Sequence, residues 1–320
     1  MKGYVARRLA YVVPLWLALS VFSFALGALA PGDPARALLR LRMQSPPTDQ
    51  QVARLREHLD LDQPAIVQFG HWFNDLIHGD LGRSFRTGDS VLGSLLHAFP
   101  VTAELSLLAF CLAVGFSIPL GALAALRRGG VADHATRVFA LGGASMPTFW
   151  FGYLLIILFA VKLRIFPTEG TESPISYVLP AITLSLFDVG LMLRLTRASV
   201  LEVLGEDFVL AARARGIPRF RITTRHVLRV ALNPVVTYAG LLIGGLLGGS
   251  VIVETVFGMP GIGKLVVDAI NDRDFPLVQG FVLFFGTAIL LINLLVDLFY
   301  VVLDPRVRLV ETKEVNVGAT

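Results

Sequence analysis

The sequence predicts an all-α integral membrane protein with six transmembrane helices and a folded loop of about 70 residues after the first of them. Of its 320 residues, 54% are hydrophobic and only 16% are charged, and the mean hydropathy is +0.68. This composition is typical of membrane proteins, and the length allows about six helical spans of ~20 residues each. The net charge of +4 is small and the basic residues flank apolar runs. The sequence therefore predicts no nucleic-acid partner.

The first predicted span is Leu9 to Ala30, which contains 22 residues without a charge. Lys2, Arg7 and Arg8 precede it. A secretory signal peptide is the alternative, but this run is longer than the hydrophobic region of such a peptide. We therefore expect residues 1–30 to form the N-terminus and a retained first helix, which Pro31-Gly32-Asp33-Pro34 ends.

The polar segment 31–96 is expected to be a folded loop outside the cytoplasm. Thr48 and Gln51 have the spacing of a capping box ahead of a charged helix. A second helix is predicted from an apolar stripe at helical spacing, formed by Ile66, Phe69, Phe73 and Leu76. Gly79 to Phe85 is rich in turn residues and connects this loop to the next span.

Five further apolar runs predict a membrane domain over residues 97–303, followed by a tail at 304–320. The runs are Val101 to Leu126, Val138 to Val161, Tyr177 to Leu193, Asn233 to Phe257 and Gly280 to Leu303. With six spans, both termini lie on one side. The segments on that side contain 17 Lys and Arg residues, whereas the two short opposite loops contain four. Because cytoplasmic loops are enriched in Lys and Arg, we expect both termini to be cytoplasmic.

The segment 199–234, called the elbow below, joins the fourth and fifth predicted spans on the cytoplasmic side. Val200 to Arg215 has a helix-forming composition. Gly216-Ile217-Pro218 follows, and a glycine after one helix with a proline at the start of the next predicts a tight turn between two helices.

The second predicted helix of the elbow has a basic face. Arg221, Arg225 and Arg229 recur every four residues, and Phe220, Val227 and Ala231 are predicted to lie on another face. Six arginines and no acidic residue lie between positions 213 and 229. A short helical pair with small residues before its bend and a basic face is suited to docking into a groove of a partner protein.

Four acidic residues fall inside the predicted spans. Glu104 and Glu254 lie within about one turn of the outer ends, where we expect water to solvate them. Asp188 and Asp297 lie deeper, where each would cost roughly 2.5–3.5 kcal/mol facing lipid, so both should face the bundle interior or an aqueous path. The deeper pair either belongs to a substrate path or pairs with Arg194, Asn293 or a backbone donor and so holds helices together. No basic residue is predicted at similar depth.

The fifth predicted span contains Gly240, Gly244 and Gly248 at intervals of four residues. Small residues at this spacing allow close approach of two helices in a membrane. Because glycine also lowers helix rigidity, a role of this span in a moving gate is a second hypothesis.

The sequence gives no evidence of catalytic or metal-binding chemistry. Gly258 to Lys264 has the spacing of a phosphate-binding loop, but Leu265 stands where the magnesium ligand Ser or Thr is required. The six histidines lack metal-ligand spacing, and Cys111 is the only cysteine, so the chain contains no internal disulfide. We expect the chain to bind no cofactor and no metal and to hydrolyse nothing itself.

Ordered strings along the chain carry a family resemblance. In Leu210 to Gly216, the adjacent alanines Ala211 and Ala212 are followed by three residues and then by the glycine, and Arg225 to Pro234 reads Arg-His-x-Leu-Arg-x-Ala-x-x-Pro. Further strings are Ala30 to Pro34, Gly79 to Phe85, Ser145 to Phe149, Glu254 to Gly263 and Asp304 to Arg306. With these strings the chain resembles the permease subunits of ATP-binding-cassette importers of the dipeptide, oligopeptide and nickel class. Leu210 stands where the wider superfamily has glutamate, and Arg229 where many members have proline.

The resemblance implies a type I importer fold, with a first span, a folded outer loop and a five-helix permease core. It implies a second homologous permease subunit, two ATP-binding subunits that hold ATP and Mg²⁺, and an extracytoplasmic solute-binding protein, in the inner (cytoplasmic) membrane. Peptide is the implied substrate, with nickel complexes, glutathione and sugars left open.

The resemblance implies coupling residues in the elbow, and the residues inside the spans give candidates for the path. The implied ATPase-coupling residues are Ala211, Ala212, Arg213, Arg215, Gly216, Arg221 and Arg225. The candidates for the translocation path or gate are Asp188, Gly244, Gly248, Glu254 and Asp297. The basic face of the elbow either meets acidic residues of the ATPase or contacts lipid headgroups.

A secondary transporter or channel that needs no ATPase is the main alternative. The spans show no inverted repeat with paired broken helices, and intramembrane acidic residues are few. A membrane enzyme is a weaker third interpretation, because no catalytic constellation is present in the sequence.

Overall fold

The computed structural model describes residues 2–29, 33–43, 46–58 and 62–303. Regular structure in these residues is helical, apart from one isolated bridge between Arg83 and Ser90. The junction at 30–32 and the predicted tail at 304–320 lie outside the described residues.

Fourteen α-helices occur in the described residues. The first seven are α1 (Lys2–Leu29), α2 (Pro34–Arg42), α3 (Asp49–His58), α4 (Ala65–Ile77), α5 (Val91–Leu126), α6 (Val131–Ser145) and α7 (Thr148–Leu155), which continues as a π-helix over Ile156–Lys162. The others are α8 (Val178–Leu204), α9 (Asp207–Ala214), α10 (Arg219–Ile222), α11 (Leu228–Ala231), α12 (Asn233–Val256), α13 (Ile262–Asp272) and α14 (Phe275–Leu303). A 3-10 turn at Pro174–Tyr177 precedes α8, and a π-helical turn at Thr223–Val227 joins α10 to α11.

The number of spans agrees with the predicted all-α membrane fold. Among the described residues, five helices are long and apolar enough to cross a membrane, and α6 with α7 makes a sixth if this bent pair counts as one span. The fifth predicted span, Asn233 to Phe257, corresponds closely to α12. The second and fourth extend beyond their predicted ends, because α5 begins at Val91 and α8 continues to Leu204.

The third predicted span is not one straight helix. The axes of α6 and α7 form an angle of 108°. The break lies at Met146 and Pro147, both of which have extended backbone angles. A residue before proline is disfavoured in the helical region, and proline itself lacks the N–H needed inside a helix. The sequence Ser145-Met146-Pro147 therefore ends α6, and Pro147 then caps α7.

The chain divides into two compact units, and the first contains residues up to Pro100 together with those from Pro260 onward. In this unit α1 packs along α14. The indole of Trp16 donates a hydrogen bond to Thr287 Oγ1 at 3.1 Å, and the hydroxyl of Ser23 donates to the carbonyl of Gln279 at 2.8 Å. These polar contacts fix the register of two otherwise apolar helices.

The loop helices of the first unit follow the sequence signals in part. Gln51 Oε1 accepts a hydrogen bond from Thr48 N at 2.8 Å at the start of α3, which confirms the predicted capping box. On α4, Phe69 and Phe73 pack against aromatic rings of α1 and of α4 itself. Ile66 was predicted to belong to the same stripe, but its side chain is exposed because it lies in the first turn, beyond these aromatic contacts.

The second unit, Val101–Met259, is built around α8, which packs against α6, α7 and α12. Fourteen residues of α8 are buried, including Leu184, Val189 and Met192. Gly190 lets α6 approach closely, since a Cβ there would lie 3.1 Å from the carbonyl oxygen of Ala140. The helix that leads into the elbow is thus the central helix of this unit.

Candidate functional site

The elbow is a pair of short helical segments between two spans. Gly205 ends α8, Glu206 has extended backbone angles, and α9 then runs from Asp207 to Ala214. The prediction of one helix from Val200 to Arg215 is therefore wrong, because Gly205 interrupts it. Gly216 has φ +73°, a conformation that glycine adopts at little cost, and it turns the chain toward α10 as predicted.

The inner face of the elbow is packed on the membrane helices. Val209, Ile222 and Val227 are each at most 2% exposed. They belong to one apolar cluster of buried residues, which also contains Ala122, Ala125, Val200, Val203 and Ala231. Since these residues come from α5, α8 and the elbow, the elbow is anchored to two spans by a common hydrophobic core.

The π-helical turn at Thr223–Val227 sets which side chains reach this core. Hydrogen bonds in a π-helix connect residues five apart, so Ile222 and Val227 come to lie on the same side. Phe220 was predicted to share a face with Val227, but its side chain is 80% exposed. The prediction fails because it assumed regular α-helical spacing, and Ile222 takes the buried position instead.

The outer face of the elbow carries most of the predicted coupling residues. Ala211 and Gly216 are exposed, and Ala212 is half-buried against the apolar cluster. The predicted arginines on this segment, Arg213, Arg215, Arg221 and Arg225, are all exposed. Small residues and unburied basic side chains thus lie together on the surface that faces away from the spans.

Three large apolar side chains of the elbow are exposed and were not predicted as functional. Phe208, Leu210 and Phe220 are 42%, 55% and 80% exposed. Phe208-Val209-Leu210 is an unbroken apolar string, so the sequence alone does not indicate that only Val209 is buried. Exposed apolar residues that cluster with polar ones typically mark a protein-protein interface.

A buried carboxylate fixes α8 just before the elbow. Asp133 is 0% exposed and accepts hydrogen bonds from Arg197 Nε at 2.5 Å, from Arg137 Nη2 at 2.7 Å and from the backbone N–H of Gly129 at 2.9 Å. The bidentate pair with Arg197 joins the start of α6 to α8. Sequence analysis missed this contact, although the spacing of Asp133 and Arg137 by four residues suits an ion pair on a helix.

Close helix packing reinforces the same region. A Cβ on Gly121 of α5 would lie 2.7 Å from Thr196 Cβ and 2.8 Å from the carbonyl oxygen of Leu193. Glycine is therefore required for α5 and α8 to approach as they do. The ends of α5, α6 and α8 next to the elbow form one closely packed group.

The acidic residues predicted inside the spans have different surroundings. Glu254 is 0% exposed and accepts a hydrogen bond from Thr102 Oγ1 at 2.7 Å. The expectation that water solvates Glu254 is therefore wrong, because α5 covers this end of α12. Glu104 is exposed. Asp188 is partly buried and accepts a hydrogen bond from the Tyr238 hydroxyl at 2.8 Å, which joins α8 to α12.

Asp297 forms an ion pair that the sequence did not indicate. Arg8 Nη1 lies 2.7 Å from Asp297 Oδ2, with the two side chains 44% and 25% exposed. The expectation that no basic residue lies at its depth is therefore wrong. Because α1 runs antiparallel to α14, the start of α1 reaches the end of α14.

The glycines of α12 do not all serve close packing within the chain. Apart from the neighbouring backbone of α12, no atom of the described residues lies within 4 Å of the position that a Cβ on Gly248 would take, and Gly244 is half-buried. Gly249 instead contacts α8, where its Cβ would lie 3.2 Å from Leu184 Cδ1. Gly248 therefore lies on a face of α12 that the described part of the chain leaves uncovered.

In the first unit, Asp274 holds the turn-rich string of the outer loop. Asp274 is 2% exposed and accepts hydrogen bonds from the Ser84 hydroxyl and from the backbone N–H of Phe85 at 3.0 Å. Arg86 forms an ion pair with Asp272 at 2.6 Å. The start of α14 thus fixes the conformation of the segment that precedes α5.

Multiple apolar spans, an elbow packed on them and exposed apolar and basic side chains on the elbow are the features of an integral membrane subunit with a surface suited to another protein. Residues 117–309 match the family described as "Binding-protein-dependent transport system inner membrane component", and residues 1–106 match the N-terminal region described for the same kind of component.

Relatives and solved structures agree with this family. The chain is 41% identical to a protein of Brucella abortus (strain 2308) that is named as a permease of a peptide transport system, over 96% of this chain and 99% of the relative. It is 38% identical to the "Dipeptide transport system permease protein DppB" of Escherichia coli (strain K12), over 96% of this chain and 99% of the relative. A chain in the structure titled "Inward facing conformations of the MetNI methionine ABC transporter: CY5 native crystal form" superposes with a TM-score of 0.50 at 18% identity. That superposition covers 64% of this chain and 94% of the other.

The chain belongs to the family of inner membrane components of binding-protein-dependent transport systems, and it is a permease subunit of an ATP-binding-cassette importer. This confirms the family resemblance and the predicted type I importer fold. The coupling and path residues, the domain boundaries and the orientation of the termini stay predictions.

Proposed function

We propose that this chain forms half of the translocation path of an importer for dipeptides and oligopeptides. A second homologous permease subunit forms the other half, and an extracytoplasmic solute-binding protein delivers the substrate. Two ATP-binding subunits hold ATP and Mg²⁺ and hydrolyse the nucleotide, while this chain itself is non-catalytic and binds no cofactor. The peptide substrate follows from the names of relatives at 38–41% identity.

The observation that carries the proposal is the contrast between the two faces of the elbow. The inner face has Ile222 and Val227 buried against the spans, whereas the outer face exposes Phe220, Leu210 and basic residues. A segment that merely connected two helices would not need both a packed interior and an exposed apolar surface. We therefore assign the outer face to a cleft of an ATP-binding subunit.

The elbow is suited to transmit motion because it has no flexible linker to the spans. Only Leu232 separates α11 from α12, and only two residues separate α8 from α9. Asp133 and Gly121 hold α8 against α6 and α5. When the ATP-binding subunits close, displacement of the elbow would therefore move α8 and α12 together, as rigid-body transitions between packed states do.

The exposed face of α12 is the best candidate for the path and for the contact with the second permease. Leu241, Gly245, Gly248 and Ile252 are exposed and lie at helical spacing on one side. Asp188 lies between α8 and α12 through its hydrogen bond with Tyr238. We assign Asp188, Gly244, Gly248 and Glu254 to the region that changes shape during transport, and Asp297 to the ion pair with Arg8.

Reconstitution tests this function directly. The chain is purified with the second permease and the ATP-binding subunits of its transport system, and uptake of radiolabelled dialanine into proteoliposomes is measured with ATP and the cognate binding protein. We expect ATP-dependent uptake, and the Phe220→Ala variant should lose it while assembling the two permeases normally. Arg164→Ala is the control, since Arg164 lies outside the elbow between α7 and α8.

Two outcomes would contradict the proposal. Uptake by the chain alone, driven by an ion gradient, would identify a secondary transporter. ATP-dependent uptake that is unchanged in Phe220→Ala and in a Leu210→Ala, Phe220→Ala double variant would show that the outer face of the elbow does not dock the ATP-binding subunits.

The proposed orientation has its own test. Cys111 is replaced by serine, Ala214 in the elbow is replaced by cysteine, and intact cells are treated with a membrane-impermeant maleimide. We expect labelling only after the membrane is permeabilised. Labelling of intact cells would place the elbow outside the cytoplasm.

A further inference from the structure

A groove lies between α5, α6 and α8 of the second unit and is not used by the proposed coupling. Its volume is about 630 Å³. The side chains that line it are Leu112, Phe116, Leu120, Leu123, Ala132, Ala135, Thr136, Phe139, Ile182, Ser185, Leu186, Val189 and Leu193. The lining residues of α5 and α8 lie in helices that are long and apolar enough to cross a membrane, and those of α6 belong to the bent pair that makes a sixth such span if it counts as one.

The groove offers only apolar surface to an occupant. Its two hydroxyl groups are already engaged with their own helices, because Thr136 Oγ1 donates to the carbonyl of Asp133 at 3.0 Å and Ser185 Oγ donates to the carbonyl of Ile182 at 3.2 Å. Phe116 and Phe139 are about half exposed, so the groove opens to the outside of the unit. A hydrocarbon chain matches this lining, whereas a peptide backbone would lose hydrogen bonds in it.

The length of the groove corresponds to one leaflet of a bilayer. Along α5 the lining runs from Leu112 to Leu123, which is about 16 Å at 1.5 Å per residue. The hydrocarbon core of a bilayer is ~30 Å thick, so one leaflet is about half of that. The mouth of the groove, at Leu123, lies about one helical turn, ~6 Å, from the turn 127–130 that joins α5 to α6.

The turn at the mouth of the groove carries excess positive charge. Arg127 and Arg128 are exposed, and among the described residues no carboxylate lies within the 4.0 Å of an ion pair from either. The only acidic residue between positions 105 and 168 is Asp133, whose two oxygens are occupied by Arg137, Arg197 and the N–H of Gly129. A ligand with an anionic head and a hydrocarbon chain would complement both the turn and the groove.

We propose that this groove binds an anionic phospholipid, with one acyl chain between α5, α6 and α8 and the phosphate at Arg127 and Arg128. The site goes beyond the proposed transport function and does not depend on it. The bound lipid would fill the space between three helices that the elbow uses as its base.

Native mass spectrometry of the full-length chain tests the site. The protein is equilibrated in detergent with equal amounts of phosphatidylglycerol and phosphatidylcholine of identical acyl chains, and the retained lipid is identified. We expect preferential retention of one phosphatidylglycerol. The Arg127→Gln, Arg128→Gln variant should lose this preference by about 30-fold, the factor expected for two arginines near a lipid surface.

Two further variants separate this site from general attraction between arginine and lipid. Arg219→Gln with Arg221→Gln removes two exposed arginines of the elbow and should leave the preference unchanged. Ala135→Phe fills the groove without changing charge and should abolish retention while the variant stays monodisperse. Equal retention of both lipids by the unaltered chain, or full retention by Ala135→Phe, would overturn the proposal.

Assembly provides the last criterion. Phosphatidylglycerol should remain bound when the chain is purified together with the second permease. Loss of the lipid upon assembly would show that the groove is a protein-protein interface, and the proposal would be wrong.

Discussion

Truncating Ile222 tests whether the elbow is a rigid unit anchored to the spans. Ile222 is 2% exposed and lies in the apolar cluster with Val200, Val209 and Val227. Replacing a buried isoleucine by alanine costs about 2–5 kcal/mol, because the transfer free energy of three carbon atoms is lost and a cavity remains. Ile222→Ala should therefore loosen the contact between the elbow and the spans.

The expected effect is local and measurable. At the lower limit of about 2 kcal/mol, the equilibrium constant for local opening of the elbow increases about 30-fold, since about 1.4 kcal/mol corresponds to a factor of ten. Hydrogen-deuterium exchange followed by mass spectrometry should show faster exchange in peptides covering 207–231. Peptides from the middle of α8 should be unaffected. Peptide uptake by the assembled importer should fall, because a loosened elbow transmits less displacement.

Phe220→Ala is the matched control on the same segment. Phe220 is larger than Ile222 but is 80% exposed, so its truncation should leave the exchange of 207–231 unchanged. Under the proposed function it should still reduce uptake, through loss of docking. Equal exchange in the wild-type chain and Ile222→Ala would refute the conclusion that the elbow is packed as a rigid unit.

Three other predictions follow from contacts in the second unit and in the outer loop. Gly121→Leu should lower the midpoint temperature of thermal unfolding, because overpacking against Thr196 costs about 1–3 kcal/mol. Gly115→Leu, which has open space around its Cβ position, should leave that temperature unchanged. Equal midpoints for the two variants would argue against close packing of α5 and α8. Asp133→Asn should reduce ATP-dependent uptake at unchanged protein level, whereas Glu172→Gln, an exposed acidic residue outside the elbow, should not. Full uptake by Asp133→Asn would show that Asp133 has no role in coupling. Asp274→Ala should make the segment 84–90 sensitive to protease in sealed cells, because Asp274 no longer accepts the hydrogen bond of the Phe85 backbone. Asp268→Ala, which removes an ion pair with Lys264, should leave the segment protected. Equal protection in the two variants would contradict the role of Asp274.

The sequence predicts the membrane fold well because hydropathy reports directly on burial in lipid. The predicted span Asn233 to Phe257 and the observed α12, Asn233–Val256, agree almost to the residue. The predicted span that corresponds to α8 ends too early, at Leu193, because Arg194 interrupts the apolar run. The helix continues to Leu204 because the apolar side chains that follow are buried and Asp133 compensates the charge of Arg197. That compensation depends on a residue 64 positions away.

The elbow shows where reasoning from periodicity fails. Gly216 was predicted as the turn because a single residue type provides that conformation. The π-helical turn at Thr223–Val227 has no comparable signal, so Phe220 was placed on one face with Val227 and Ala231, and Ile222 was overlooked. The pairs Asp188 with Tyr238 and Asp297 with Arg8 were missed because tertiary contacts between distant helices leave no local spacing in the sequence.

The separation of the elbow into an inner and an outer face has a consequence for evolution and engineering. Residues that hold the elbow in place are not those that would recognise its partner, so substitutions on one side leave the other side undisturbed. Exchanging Phe208, Leu210 and Phe220 for the corresponding residues of a related importer should redirect the chain to a foreign ATP-binding subunit without refolding its membrane core.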